Sequence, residues 1–259
     1  MPALVIAVGI LGLLIGSFLN VVIHRVPLGE SVIRPRSRCP QCGAELRERD
    51  NFPVLSWLLL RGRCRACSAP ISVRYPLVEL GTGLLFAAVA WWCGLAWQLP
   101  AFLYLAAIAV ALSAIDLDVK RLPDAIVLPS YVVALALLLL PAVAEGRWLD
   151  LLHGVLTGLA LFAFYFLLAV IYPAGMGFGD VKLSGVLGLY LGWVSWPLAI
   201  LATFAAFLLG SVVGVVVIVR GKGGRKTKVP FGPFMLLGTF LALFFGQPVV
   251  DWYTSSIGL

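Results

Sequence analysis

Apolar residues fall into long runs at about residues 3–23, 77–97, 99–116, 124–143, 150–172, 181–195, 197–219 and 231–248, with the polar residues gathered into the segments between them. Most of these runs approach the roughly 20 residues a helix needs to cross the apolar part of a bilayer. The pattern predicts an all-α polytopic membrane protein with about eight transmembrane helices, the sixth of them short. The first run lacks a basic leading segment and an Ala-x-Ala site, so it reads as a retained helix rather than a signal peptide. It continues into Gly16-Ser17-Phe18-Leu19-Asn20, whose polar pair points to packing against another helix.

Composition agrees with the pattern. The chain is 61% hydrophobic and 12% charged, against roughly 25% charged in soluble domains, which excludes an ordinary soluble protein. The formal net charge of +7 matters less than where the basic residues lie. With the N-terminus outside the cytosol, the loops holding Arg25 to Arg74, Lys120 and Arg121, Lys182, and Arg220 to Lys228 all face the cytosol. Those loops carry 18 of the 19 Lys and Arg, leaving only Arg147 outside. Such an excess marks the cytosolic side. Because this bias already accounts for the arginines of the first loop, no nucleic-acid partner is expected.

Only residues 24–75 resemble a soluble segment, and they are too few for a self-sufficient core. The expected organisation is a first transmembrane helix at 1–23, a cytosolic module at 24–75 inserted after it, and a membrane domain of about seven helices at 76–259. Cys39-Pro40-Gln41-Cys42 and Cys64-Arg65-Ala66-Cys67 form two C-x2-C pairs separated by 21 residues, close to the spacing of a four-thiolate zinc site. A pair of disulfides or a redox dithiol is the competing reading; a cytosolic location argues against disulfides, and the spacing favours zinc. Four thiolates fill the coordination sphere, so the predicted zinc is structural. Cys93 stands alone in an apolar run and reads as a small core residue.

Two acidic positions stand out against the apolar background. Asp180 follows the glycines at 175, 177 and 179, where a loop enters an apolar helix. Asp116-Leu117-Asp118 closes another helix about sixty residues earlier. Charges in membrane helices are kept where they pair, move ions or do chemistry, and two carboxylates sharing one proton can activate water against a peptide bond. Glycines such as Gly177 and Gly179 let a substrate backbone approach closely. The plainer reading of Asp180 is a helix cap. Lys182 either tunes Asp180 or snorkels to the interface. Residue chemistry alone leaves Asp116, Asp118 and Asp124 open as partners of Asp180, although Asp124, after Pro123, reads first as a cap. Glu79 reads as dipole-stabilised or paired with Arg74. His24 and His153 lie far apart along the chain, so neither a histidine metal site nor a Ser-His triad suggests itself.

Taken together, Gly16 to Arg25, the four cysteines, Arg74-Tyr75-Pro76-Leu77-Val78-Glu79, Ile115-Asp116-Leu117-Asp118 with Leu122-Pro123-Asp124, Gly175 to Leu183, and Pro230-Phe231-Gly232-Pro233 resemble the type IV prepilin peptidases over nearly the whole chain. The resemblance implies a Gly-x-Gly-Asp membrane aspartic protease of the bacterial inner membrane, with Asp116 and Asp180 catalytic. It also implies prepilin and pseudopilin substrates, removal of a short basic leader after a glycine at the cytosolic face, and S-adenosylmethionine-dependent methylation of the new N-terminal amine. No Gly-x-Gly-x-x-Gly fingerprint marks a nucleoside site, so no cofactor-binding residues are assigned. A polytopic transporter is the main alternative, but its site would lie near the midplane, whereas both acids lie near one face. A membrane zinc scaffold would leave the glycine-aspartate loop unexplained.

Overall fold

The computed structural model describes every residue except 40, 46–49, 51, 174, 221–228 and 257–259, so most of the last basic loop used in the orientation reading lies outside the described residues. The helices are α1 (Pro2–Arg25), α2 (Leu55–Leu59), α3 (Arg74–Cys93), α4 (Leu99–Val119), α5 (Asp124–Ala144), α6 (Trp148–Ile171), α7 (Phe178–Val194), α8 (Pro197–Val219) and α9 (Gly232–Ser256). All eight apolar runs are helical, and seven of the helices are long and apolar enough to cross a membrane. This is a multi-span membrane protein. The short sixth run becomes α7, 17 residues long and buried over nearly its whole length. The second run was expected to continue to 97. Gly94, at φ 64°, ends α3 at Cys93, because glycine accepts that backbone conformation without the penalty a side chain brings.

Two compact units divide the chain, Met1–Ala111 and Leu112–Leu259. In the first, α1 lies against α3 through Gly12 and Gly16. A Cβ on Gly12 would come within 2.7 Å of Phe86 Cβ, and one on Gly16 within 2.7 Å of Glu79 Cα. Between apolar helices in lipid there is little hydrophobic drive, so such small-residue approach supplies the packing. The segment between α1 and α3 carries α2 and two similar turns. In one, Cys39 N–H donates to Ala44 and Gly43 N–H to Cys39; in the other, Cys64 N–H donates to Ala69 and Ser68 N–H to Cys64. Short bridges, Arg38 to Glu45 and Arg63 to Pro70, close both turns.

In the second unit α7 is the central helix, touched by α5, α6, α8 and α9. A Cβ on Gly188 would fall 2.6 Å from Gly158 Cα, so α6 and α7 meet backbone to backbone. Tyr131 of α5 lies on Gly185 and donates its hydroxyl to the Lys182 carbonyl at 2.6 Å. Opposite, Gly238 of α9 fits against Ala202 and Ala206 of α8. The Tyr131 bond holds the start of α7, close to Asp180, while α5, α6, α8 and α9 all pack against that helix.

Candidate active site and metal centre

Asp180 is the third residue of α7 and is 9% exposed. Its Oδ2 accepts the N–H of Gly177, the residue before the helix, at 3.2 Å. Asp180 is therefore not the N-cap residue, which is Gly177, but stands at N3 and accepts the N-cap N–H. Gly177 has no side chain to return the bond, so only the half made by Asp180 exists. Phe178 and Lys182 flank this turn, with the Lys182 ammonium 5.1 Å from the Phe178 ring centroid.

Asp116 lies in the last turn of α4 and is 4% exposed. Its Oδ2 accepts the N–H of Gly232 at 3.0 Å. Gly232 is the first residue of α9, so this N–H is one of the donors a helix start leaves without an internal partner. Asp116 thus faces the positive end of a helix distant in sequence as well as the negative end of its own. Leu122 ties the two carboxylates together. A Cβ on Gly179 would meet Leu122 Cβ at 3.0 Å, and one on Gly232 would meet Leu122 Cδ2 at 3.2 Å and Asp116 Oδ2 at 2.9 Å. Asp116 and Asp180 are near enough to interact electrostatically.

The other acids lie differently. Asp118 is exposed. Asp124 opens α5 and pairs with Lys182, whose Nζ is 2.8 Å from both carboxylate oxygens. That ion pair replaces the capping reading of Asp124, and it gives Lys182 a partner other than Asp180. Gly232 and Leu122 were missed as site residues. Their only signal was the Pro-Phe-Gly-Pro turn and the Leu-Pro-Asp turn, and neither Gly232 nor Leu122 has a reactive side chain of its own.

The four cysteines Cys39, Cys42, Cys64 and Cys67 converge, with all sulfurs within 4.8 Å of one another. Cys39 Sγ and Cys67 Sγ are 3.8 Å apart. Four sulfurs about 2.3 Å from one ion would stand about 3.8 Å apart along a tetrahedral edge, so the cluster can hold a metal ion. Backbone N–H groups of Cys42 and then Gln41 stabilise the thiolate of Cys39 and bring that thiol down to about 6. At Cys67 the backbone N–H of Ala69 also favours the thiolate, but desolvation and the three neighbouring sulfurs outweigh it and push the thiol up to about 12. A dication would remove that conflict by holding all four as thiolates. Cys93, the last residue of α3, is half-buried and outside the cluster.

Residues 103–215 match the family model of the type IV leader peptidase family, and residues 10–93 match that of the bacterial peptidase A24 N-terminal domain. A prepilin leader peptidase/N-methyltransferase of Stutzerimonas stutzeri is 39% identical over 276 residues, an alignment covering 97% of this chain and 94% of the relative. The chain belongs to the type IV leader peptidase family. Prepilin leader peptidase/N-methyltransferases are likewise 37% identical over 286 residues in Pseudomonas aeruginosa (99% of this chain, 95% of the relative) and 38% identical over 271 residues in Aeromonas hydrophila (94% and 91%). No solved structure matches the chain.

In this leader peptidase family member, both acids fall in the segment matched at 103–215 and all four cysteines in the segment matched at 10–93. Gly232 lies beyond both, and its closeness to Asp116 makes a specific expectation. Its backbone is not in the left-handed region, so alanine is tolerated there conformationally while its methyl displaces the Asp116 carboxylate. Gly232→Ala should lower peptide cleavage by about 10- to 100-fold, the scale on which a misplaced reacting group costs rate. Membrane insertion should be unchanged. A variant with wild-type kcat in a detergent assay would remove Gly232 from the site.

Proposed function

We propose that this protein is a membrane-embedded aspartic endopeptidase that removes the basic leader from prepilins and pseudopilins, and then methylates the new N-terminal amine with S-adenosylmethionine as donor. The observation that carries the reading is the pair of buried carboxylates, Asp116 and Asp180, each anchored through one oxygen to an N–H beside a helix start, Asp116 against Gly232 and Asp180 against Gly177, with Leu122 packed on both Gly232 and Gly179. Membership in the leader peptidase family supports it. The dyad shares one proton. One carboxylate takes a proton from water as the water oxygen attacks the peptide carbonyl, while the protonated partner donates to the carbonyl oxygen. A proton then passes to the leaving nitrogen as the carbon–nitrogen bond breaks. Gly177 and Gly179 let the substrate backbone lie close to this pair, and Lys182, tied to Asp124, borders its entrance.

In the proposed orientation the N-terminus is periplasmic, and the cysteine module and both acids face the cytosol at the bacterial inner membrane. The metal is zinc, held by Cys39, Cys42, Cys64 and Cys67 in a structural role, because four thiolates leave no open position. Membrane lipid surrounds the spans. Methyl transfer moves a methyl group from the donor's sulfonium to the amine, which loses a proton, and leaves a neutral thioether.

Incubating purified protein with a prepilin, then sequencing the product, tests cleavage directly: a single new N-terminus after the leader glycine is expected. The second activity is tested with a pre-cut pilin beginning at that residue. The Asp180→Asn protein should still add one methyl group to it, seen by mass spectrometry, because the dyad is not needed once the amine exists. If wild-type protein leaves this peptide unmethylated, the transferase part of the proposal fails and the protease part stands alone.

A further inference from the structure

Glu79 is a buried carboxylate that the dyad does not use. It sits in the second turn of α3, and its Oε2 accepts the backbone N–H of Val54 at 2.7 Å. Ser17 and Asn20 of α1 also direct their side chains to it. Asn20 in turn donates Nδ2 to the Tyr75 carbonyl at 3.2 Å. Three stretches of sequence that the cleavage chemistry leaves idle, Gly16 to Asn20, the turn before α2 and Arg74 to Glu79, therefore meet at one acceptor. The α1 helix makes its close approach here, since a Cβ on Gly16 would stand 2.7 Å from Glu79 Cα. The acceptor consequently has little room to move.

Val54 itself is strained. It precedes α2 with φ 61° and ψ −49°, an outlier for a β-branched residue. Such a conformation persists only where its surroundings impose it, and the hydrogen bond to Glu79 is a restraint of that kind. Beyond Val54, α2 carries Trp57, whose indole N–H donates to the Ile71 carbonyl at 3.1 Å, and Ile71 N–H donates to Gly62 at 2.7 Å. Those bonds bracket the turn that contains Cys64 and Cys67. A continuous path thus runs from Glu79 through Val54 and α2 to the second cysteine turn.

We propose that Glu79 is a positioning residue that latches the cysteine-bearing module onto the α1 and α3 helices and sets the geometry of the activity the module carries. An acceptor-only carboxylate suits the site because a backbone N–H, a hydroxyl and an amide converge on it. The functional half of this inference rests on the methyl transfer proposed above and assigns that transfer to the cysteine-bearing module, which contains neither carboxylate of the dyad; the latch itself does not rest on it.

The test uses the full chain in detergent, with amide hydrogen exchange of residues 52–62 read beside zinc content, cleavage and methylation of the pre-cut pilin. Glu79→Ala should speed exchange of that segment about tenfold or more, as for a local opening. It should lower methyl transfer by about tenfold while cleavage stays within about threefold and zinc is retained. Glu79→Gln, which keeps an oxygen for the Val54 N–H, should bring both affected readouts back to within about threefold of wild type. Unchanged exchange in Glu79→Ala, or no rescue of that exchange by glutamine, would overturn the latch, and an equal fall in cleavage and methylation would overturn its functional half. If Glu79→Ala does not accumulate, Ser17→Ala combined with Asn20→Ala decides instead: exchange should rise about threefold, and no change overturns the proposal. A wild-type protein that transfers no methyl group overturns the functional half, while the exchange readout still decides the latch.

Discussion

Asp180→Asn and Asp116→Asn should each reduce leader cleavage by about a thousandfold or more, the usual scale for removing a group that acts as part of a catalytic unit. Asparagine is close in size to aspartate and keeps an oxygen that can accept the Gly177 or Gly232 N–H. The starts of α7 and α9 should therefore survive, so loss of activity reports proton chemistry and not unfolding. The measurement is cleavage of a purified prepilin by protein whose membrane insertion matches wild type. Asp118→Asn, at an exposed position, should remain close to wild type. Asp124→Asn breaks the ion pair to Lys182 but leaves both central carboxylates in place, so it should lower the rate far less. Near-normal cleavage by either central variant would end the dyad assignment, and complete loss in Asp118→Asn or Asp124→Asn would reopen it.

Cys64→Ser should collapse the module. Cys64 is buried, and it belongs to a set of four sulfurs within 4.8 Å of one another. Apparent binding energies of structural zinc in small thiolate sites are of order 10–16 kcal/mol, more than the core of so short a segment can replace. Wild-type protein should carry about one zinc per chain on the four-ligand rule. The serine variant should carry much less, and proteases should cut it rapidly between residues 24 and 75. Chelation of wild-type protein should reproduce that sensitivity. A zinc content unchanged by the substitution would show that the metal, if present, lies elsewhere. The acids at positions 116 and 180 are not ligands, so cleavage should outlast the loss of metal.

Much of this architecture is local, and local features are readable from residues. The eight apolar runs became eight helices because a backbone in lipid must satisfy its own hydrogen bonds, and a run of sufficient length and apolarity has few alternatives. Spacing alone pointed to the four cysteines, since a C-x2-C turn places two sulfurs on one ion whatever surrounds it. One signal of the same kind went unread. Arg-Cys-x-x-Cys-x-Ala occurs at 38–44 and again at 63–69, and the two turns share their hydrogen bonds and a positive φ at Gly43 and Ser68.

Relations between distant segments were a different matter. Nothing in the residues around Asp116 tells that Gly232, 116 positions away, supplies its hydrogen bond. Nor could they say that Leu122 lies against both Gly179 and Gly232. Lys182 had two local readings, and neither named the partner that α5 brings within 2.8 Å, Asp124. Glu79 was read as dipole-stabilised or paired with Arg74, and neither reading included the Val54 N–H that its carboxylate accepts from the module. The chain by itself determined which segments enter the membrane and which side chains are chemically competent. Only the packing of glycine-faced helices decided which of those side chains meet, because a contact across a hundred residues depends on how closely two backbones approach and not on any periodicity within either one.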